Sequence, residues 1–193
     1  MSRPREFCED TALHRALEVF WRTGYEGASI SRLTEAMGIN RPSLYAAFGN
    51  KEELFQKALD RYIALKTEHL ERALAEPTAR EVVQRLLFDA AEILTDPTHP
   101  VGCLAVQGAL SCREESEPVQ RELARIRGAF EDRLRARFEE ERRDGRLLAD
   151  ADPEALARFV GAIGYGMSVQ ASGGATREQL RQVAETAMRA WPG

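Results

Sequence analysis

The stretch Ser29 to Phe48, SISRLTEAMGINRPSLYAAF, has the spacing of two short helices joined by a tight turn. Ser29 can cap a first helix whose apolar side is Ile30, Leu33 and Met37, at helical intervals. Gly38 falls where the chain must reverse, a position that favours positive φ. Asn40 caps a second helix, and Pro42 suits its first turn, where a missing N–H costs nothing. That second helix carries Leu44 and Phe48 on one side and Arg41, Pro42, Ser43, Tyr45 and Ala46 on the other. A helix held by a partner on one side, with hydrogen-bonding groups beside a small residue on the other, meets the requirements for reading a major groove. The pattern predicts a helix-turn-helix over 29–48 that binds double-stranded DNA.

The residues that follow extend the reading. Gly49-Asn50-Lys51-Glu52-Glu53-Leu54 has the form of a helix end, a cap and a new helix start. Glu52 and Glu53 suit the positive end of a helix dipole, whereas Lys51 does not. A phosphate between the Lys51 ammonium and the helix N-terminus accounts for such a placement. Residues 10–62 resemble the DNA-binding domain of TetR-family transcriptional regulators. The resemblance rests on a long first helix ending at Gly24-Tyr25, the Ser29 cap, Ala36-x-Gly38, Leu44-Tyr45-x-x-Phe48 and Lys51-Glu52-Glu53-Leu54. It covers a little over a quarter of the chain, and several independent features occur at the right mutual spacing.

The charge distribution fits placed contacts better than bulk attraction. The net charge is −4, yet residues 1–51 hold seven basic and six acidic side chains, and residues 52–193 hold twenty and twenty-five. The acidity therefore belongs to the C-terminal part, which argues against coating nucleic acid through charge alone. Length allows one DNA module, 1–51, and a larger domain, 52–193. With 14 glycines and 8 prolines the chain is neither fibrous nor compositionally disordered. No signal-peptide pattern opens the sequence, its apolar runs are too short to cross a bilayer, and the three cysteines form no CxxC pair. A cytoplasmic protein with reduced thiols is expected.

The rest reads as helix, giving an all-α fold of about nine helices. In the first, Leu13, Ala16, Leu17 and Phe20 form an apolar stripe, with Trp21 beside it as a further core residue. Before it, Arg3 and Arg5 flank Pro4 in an arm that either reaches a minor groove or is simply solvated. A fourth helix runs from Lys51 to about Ala75, and Thr78 with Glu81 makes a capping box opening a fifth, to about Leu94. A shorter helix follows from about Val101 to Cys112. The next begins at Ser116-Glu117-Pro118, ends near Asp144-Gly145, and steps Leu123, Ile126, Phe130, Leu134 and Phe138 along one face. Asp152-Pro153 opens a helix to about Ser172, and Thr176 with Gln179 caps the last, to about Ala190.

Gly161, Gly164 and Gly166 lie inside the helix 153–172, and each weakens it by about 0.8–1 kcal/mol relative to alanine. Close approach by another helix, or room for a ligand, would offset that. The TetR resemblance implies a homodimer paired through 153–190, with Phe159, Gly161, Ile163, Gly164 and Met167 at the interface; packing inside one subunit is the alternative. It also implies a small-molecule effector in the C-terminal domain, with the fourth helix as a lever that changes the separation of two DNA domains. Phe88, Cys103, Leu104, Gln107, Phe130, Phe159, Tyr165 and Met167 would wall such a pocket, and all serve equally well as core. Repression of a palindromic operator is the implied mode, with Ser29, Arg32, Asn40, Arg41, Pro42, Ser43, Tyr45, Ala46 and Lys51 near DNA.

Three other readings stay open: a DNA-binding dimer without an effector, a helical small-molecule carrier or enzyme with a coincidental motif, and a redox- or electrophile-sensing regulator acting through Cys103, with Cys112 nine residues on. Cys103 falls near a helix start, where free N–H groups favour a thiolate; against this, an unpaired cysteine is often a small buried hydrophobe. Enzymatic readings find no support. His14, His69 and His99 have no metal-ligand spacing, and GxGxxG, Walker A and GxSxG motifs are lacking, so neither metal nor cofactor is expected.

Overall fold

The computed structural model describes residues 7–110, 116–148 and 150–192, which form nine α-helices and no strand. They are α1 (Glu9–Gly27), α2 (Ile30–Met37), α3 (Arg41–Phe48), α4 (Lys51–Leu74), α5 (Ala79–Ile93), α6 (Leu104–Leu110), α7 (Glu117–Arg143), α8 (Pro153–Ser172) and α9 (Arg177–Arg189). The caps lie where side-chain chemistry puts them. Ser29 Oγ accepts from the Arg32 amide, Asn40 Oδ1 from Ser43 and Asn50 Oδ1 from Glu53. Thr78 with Glu81 and Thr176 with Gln179 close reciprocal boxes. Each such cap stabilises its helix by about 1 kcal/mol. Gly38 ends α2 at φ 69°, where the left-handed conformation lets the Gly38 and Ile39 amides meet carbonyls of the last turn. Helical assignment in α1 continues to Gly27 across a break at Gly24, whose φ of 68° and ψ of 177° are not helical.

Two apolar clusters organise the chain. The first joins Ala16, Leu17, Phe20, Leu33, Leu44 and Phe48 to Leu54, Phe55, Leu59 and Tyr62 of α4, and to Leu104 and Leu123. The second joins α5 and the later part of α7 to α8 and α9, around Leu87, Leu134, Phe138, Val160, Met167 and Leu180. The N-terminal core therefore does not stop at residue 51; the first half of α4 is built into it. The second half of α4 runs on toward the C-terminal helices, so one rigid rod spans both clusters.

Helix α6 is shorter than its sequence suggests. It begins at Leu104 because Gly102 takes φ 83°, outside the helical region, and Cys103 supplies the first accepting carbonyl, to the Val106 and Gln107 amides. Its expected end at Cys112 lies outside the described residues, as do Arg3 and Arg5.

Candidate nucleic-acid interface

Helix α3 buries Leu44 and Phe48 completely or nearly so and leaves Arg41, Pro42, Tyr45 and Ala46 exposed. Tyr45 is 50% exposed. Arg41 Nη2 donates to the Ser31 hydroxyl at 2.8 Å, which ties the start of α3 to α2. Arg32 is exposed, and its Nη1 donates to the Gly27 carbonyl at 3.4 Å. Ser29 and Asn40 spend a side-chain oxygen on caps, while Ser43 is half-buried and gives its amide to Asn40. The face is thus a phenol, a guanidinium, a proline ring and a methyl on a short, rigid helix.

Lys51 has an intramolecular partner that sequence alone does not reveal. Its ammonium lies 4.3 Å from the centre of the Tyr25 ring. Burial draws its pKa down, and the Glu26 carboxylate opposes that. A cation on an aromatic face gains about 0.5–1 kcal/mol at such a site, which explains a lysine at the wrong end of a helix without requiring a phosphate.

Helices α4, α5, α6, α7 and α8 line a cavity of about 350 Å³. Of the residues expected to wall a pocket, Cys103, Phe130 and Tyr165 do so. The other five lie elsewhere. Leu104 and Met167 are fully buried in the cores, and Phe159 packs on the second cluster. The Arg181 guanidinium covers Phe88, and Gln107 Nε2 donates to the Val101 carbonyl and the Ser172 hydroxyl. Tyr62, Lys66 and Ser168 also line the cavity. The signal for them was a polar group on an apolar stripe: Phe55, Leu59, Tyr62 and Lys66 fall on one side of α4, and Ser168 sits on the buried side of α8 between Met167 and Ala171.

The helix glycines divide by environment. Gly161 and Gly164 face the cavity; a Cβ on Gly161 would meet Glu131, whereas one on Gly164 would meet nothing within 4 Å. Met167 is 0% exposed. Gly161 and Met167 are buried within the subunit, while Phe159, Ile163 and Gly164 of the expected set are half-buried.

Tyr62 connects cavity and core. Its hydroxyl donates to Cys103 Sγ at 3.0 Å, and burial pushes its pKa far up, so the proton stays on the phenol. Its ring meets Trp21 edge-on at 4.8 Å between centroids. Trp21 in turn stacks on His99 and donates its indole N–H to the Gly102 carbonyl. Among the described residues no group of histidines, cysteines and carboxylates is placed to hold a metal, and no helix is long and apolar enough to cross a membrane.

These features have counterparts in known proteins. Residues 12–58 match the family model of bacterial regulatory proteins, tetR family, and residues 78–191 match the Tetracyclin repressor-like, C-terminal domain. The chain is 36% identical to the HTH-type transcriptional repressor ComR of Escherichia coli (strain K12), over 98% of this chain and 91% of ComR. It is 32% identical to the HTH-type transcriptional regulator YezE of Bacillus subtilis (strain 168), over 83% of this chain and 84% of that one. It also superposes with a TM-score of 0.95 on a cysteine mutant of the TetR family transcriptional regulator CifR, solved with 26-base-pair double-strand operator DNA. There the identity is 46%, covering 99% of this chain and 100% of that one. With both family domains matched in order and the capped helix pair at the front, the chain belongs to the TetR family of DNA-binding transcriptional regulators.

Proposed function

We propose that this protein is a homodimeric repressor that grips a palindromic operator with two copies of α3 and leaves it when a small molecule fills the cavity. The observation that carries the DNA-reading role is the exposed side of α3: Arg41, Pro42, Tyr45 and Ala46 stand clear of the core on a helix fixed by the Asn40 cap and by Leu44 and Phe48. Arg41 is suited to guanine or phosphate, Tyr45 to a phosphate or base edge, and Ala46 to a thymine methyl. The close match to CifR with operator DNA supports the same docking here.

Dimerisation is supported by the outer side of α8. Ala155, Phe159, Ala162, Gly166 and Val169 recur at alternating intervals of four and three and are exposed or half-exposed. Such a stripe of small and apolar residues suits a second helix at close range. Two α3 helices on a twofold axis read half-sites about 34 Å, or a multiple, apart.

Release is supported by the reach of α4. Its first half belongs to the DNA-domain core, and Ile63, Lys66, Thr67 and Leu70 of its second half line the cavity. A ligand that favours a different angle of α4 changes the spacing of the two reading helices. It does so only by binding the released form better than the DNA-bound one. Gel retardation with fragments from around the protein's own gene, with and without candidate effectors, tests this. A retarded band lost on ligand addition is expected; no band with any fragment at low salt contradicts it.

A second mode of release has one specific observation in its favour: Cys103, half-buried at the cavity wall, shares a hydrogen bond with Tyr62. Oxidation or alkylation of Cys103 would break that bond. Release of DNA by a mild alkylator in the native protein, and none in Cys103→Ser, is the result this mode requires. Cys112 lies outside the described residues.

A further inference from the structure

The cavity is chemically lopsided. Much of its wall is apolar, from Ile63, Leu70, Leu86, Ile93, Phe130 and Val160. Its polar groups gather elsewhere. Lys66 Nζ lies 5.4 Å from the Tyr62 ring and 5.5 Å from that of Trp21, and Tyr62 is bonded to Cys103. Tyr165 donates its hydroxyl toward the Arg127 carbonyl at 3.2 Å and the Glu131 carboxylate at 3.4 Å, and Ser168 follows one turn further along α8.

Most lining charges are already answered. Arg125 pairs with Glu122 and Arg133 with Glu71, each at 2.7 Å, while Arg127 donates to the Ala105 carbonyl. Asp89 faces Arg85. Lys66 has no carboxylate or hydrogen-bond partner among the described residues; its ammonium faces the two rings, within electrostatic range of Cys103 and His69. Ser168 is 1% exposed, and its Oγ has no hydrogen-bond partner among the described residues. A buried hydroxyl in that state is destabilising until something accepts from it or donates to it.

We infer that the cavity binds a small monocarboxylic acid with an apolar body, its carboxylate seated on Lys66 of α4 and accepting from the Ser168 hydroxyl of α8, an assignment that rests on the cavity being an effector site. A cationic ligand would meet the Lys66 ammonium with like charge. A neutral one would return at most a single hydrogen bond to that ammonium, without the opposing charge. Lys66, whose ammonium neither a carboxylate nor a carbonyl answers among the described residues, together with the unsatisfied Ser168 hydroxyl matches a monoanion. The volume of about 350 Å³ has room for a body of about eight carbons. Seated there, the head group touches the Lys66–Tyr62–Trp21 cluster, which leads directly into α1.

Octanoate and octan-1-ol, equal in body and different in charge, are the probes, titrated calorimetrically into the full-length protein. Octanoate binds about tenfold or more tightly than the alcohol, since the charge-assisted contact is added to the same apolar burial. Lys66→Met abolishes that preference by weakening octanoate alone, Lys66→Arg keeps it, and Ser168→Ala weakens octanoate severalfold. If Lys66→Met fails to fold, the ratio in the native protein decides. Equal affinities, or a preference that survives Lys66→Met, overturn the acid assignment. Binding of octanol alone does so as well, while leaving the effector cavity in force. Binding of neither removes both.

Discussion

The indole nitrogen of Trp21 donates to the carbonyl oxygen of Gly102 across 3.2 Å, joining the first helix of the DNA-binding core to the loop before α6. Eighty-one residues separate the two in sequence. The same indole stacks on His99 at 4.7 Å and meets Tyr62 edge-on, so it is held on three sides by elements that border or lead to the cavity. Tyr62 and the loop that carries Gly102 thus pack directly against α1, and Tyr62 is bonded to Cys103.

Trp21→Phe keeps much of the apolar contact and removes the donor, leaving a buried carbonyl unanswered. A loss of about 1–3 kcal/mol is expected in urea unfolding. The substitution leaves the exposed side of α3 untouched. Its operator affinity should stay near that of the native protein while release by an effector is blunted. Retained release at native effector concentration would contradict the coupling.

Gly102→Ala attacks the other partner. The φ of 83° is costly for alanine, and its Cβ would overlap the Ser172 hydroxyl and the Gln107 amide. A destabilisation of about 1–3 kcal/mol is expected. Gln107→Ala in the same background relieves part of the overlap, and partial recovery of the thermal midpoint checks that cause.

On the DNA side, Tyr45→Phe removes one hydroxyl and should weaken operator binding by about 1 kcal/mol with unchanged helicity. Lys51→Ala has two separable effects. Loss of the contact with Tyr25 lowers stability by about 0.5–1 kcal/mol. If Lys51 also holds a phosphate of the bound operator, its loss flattens the plot of log affinity against log salt by about one unit. A stability change with an unaltered slope would confine Lys51 to its role on Tyr25.

Glu141 is 1% exposed and holds Arg137 at 2.7 Å; Arg137 in turn donates to the Glu76 and Pro77 carbonyls in the turn between α4 and α5. Burial pushes the Glu141 carboxyl up, but the Arg137 and Arg146 guanidiniums outweigh it and hold the group below its ordinary 4.5. A depressed folded-state pKa means stability that is present above the unfolded value and lost as pH falls through the folded one. Glu141→Gln should cost about 3 kcal/mol at neutral pH, toward the lower end for a buried pair because Arg146 is half-exposed. In urea melts the gap between native and variant should narrow below about pH 4.5. A constant gap would contradict the ionic account.

The DNA-reading half was legible because its signals are local. Ser29, Asn40 and Asn50 cap helices through side chains that reach only three residues along the chain, so spacing alone identifies them, as it does Thr78 and Thr176 in the C-terminal half. Apolar stripes such as Leu13–Phe20 and Leu33–Met37 likewise report the side that becomes buried. The cavity was not legible in the same way. Phe88 and Met167 are as apolar as Phe130, and only the packing of five helices settles which one borders empty space. Ile126 and Phe130 continue the stripe of Leu123, Leu134 and Phe138, yet they are half-buried at the cavity edge while the other three are fully enclosed. The glycines of α8 carried a real signal with an ambiguous meaning, since room for a ligand and room for a helix look identical in sequence. Lys51 shows the converse: its dipole mismatch was visible, but its partner Tyr25 is placed by the break at Gly24.

The most direct test is the mass of the complex on DNA, measured by sedimentation of a labelled duplex carrying the intact palindrome beside one with a single half-site scrambled. Two protomers should sit on the intact duplex, and affinity should fall by orders of magnitude when one half is lost. Gly166→Glu, on the outer side of α8, should reproduce that fall on the intact site. A single protomer bound equally well to both duplexes would contradict the account.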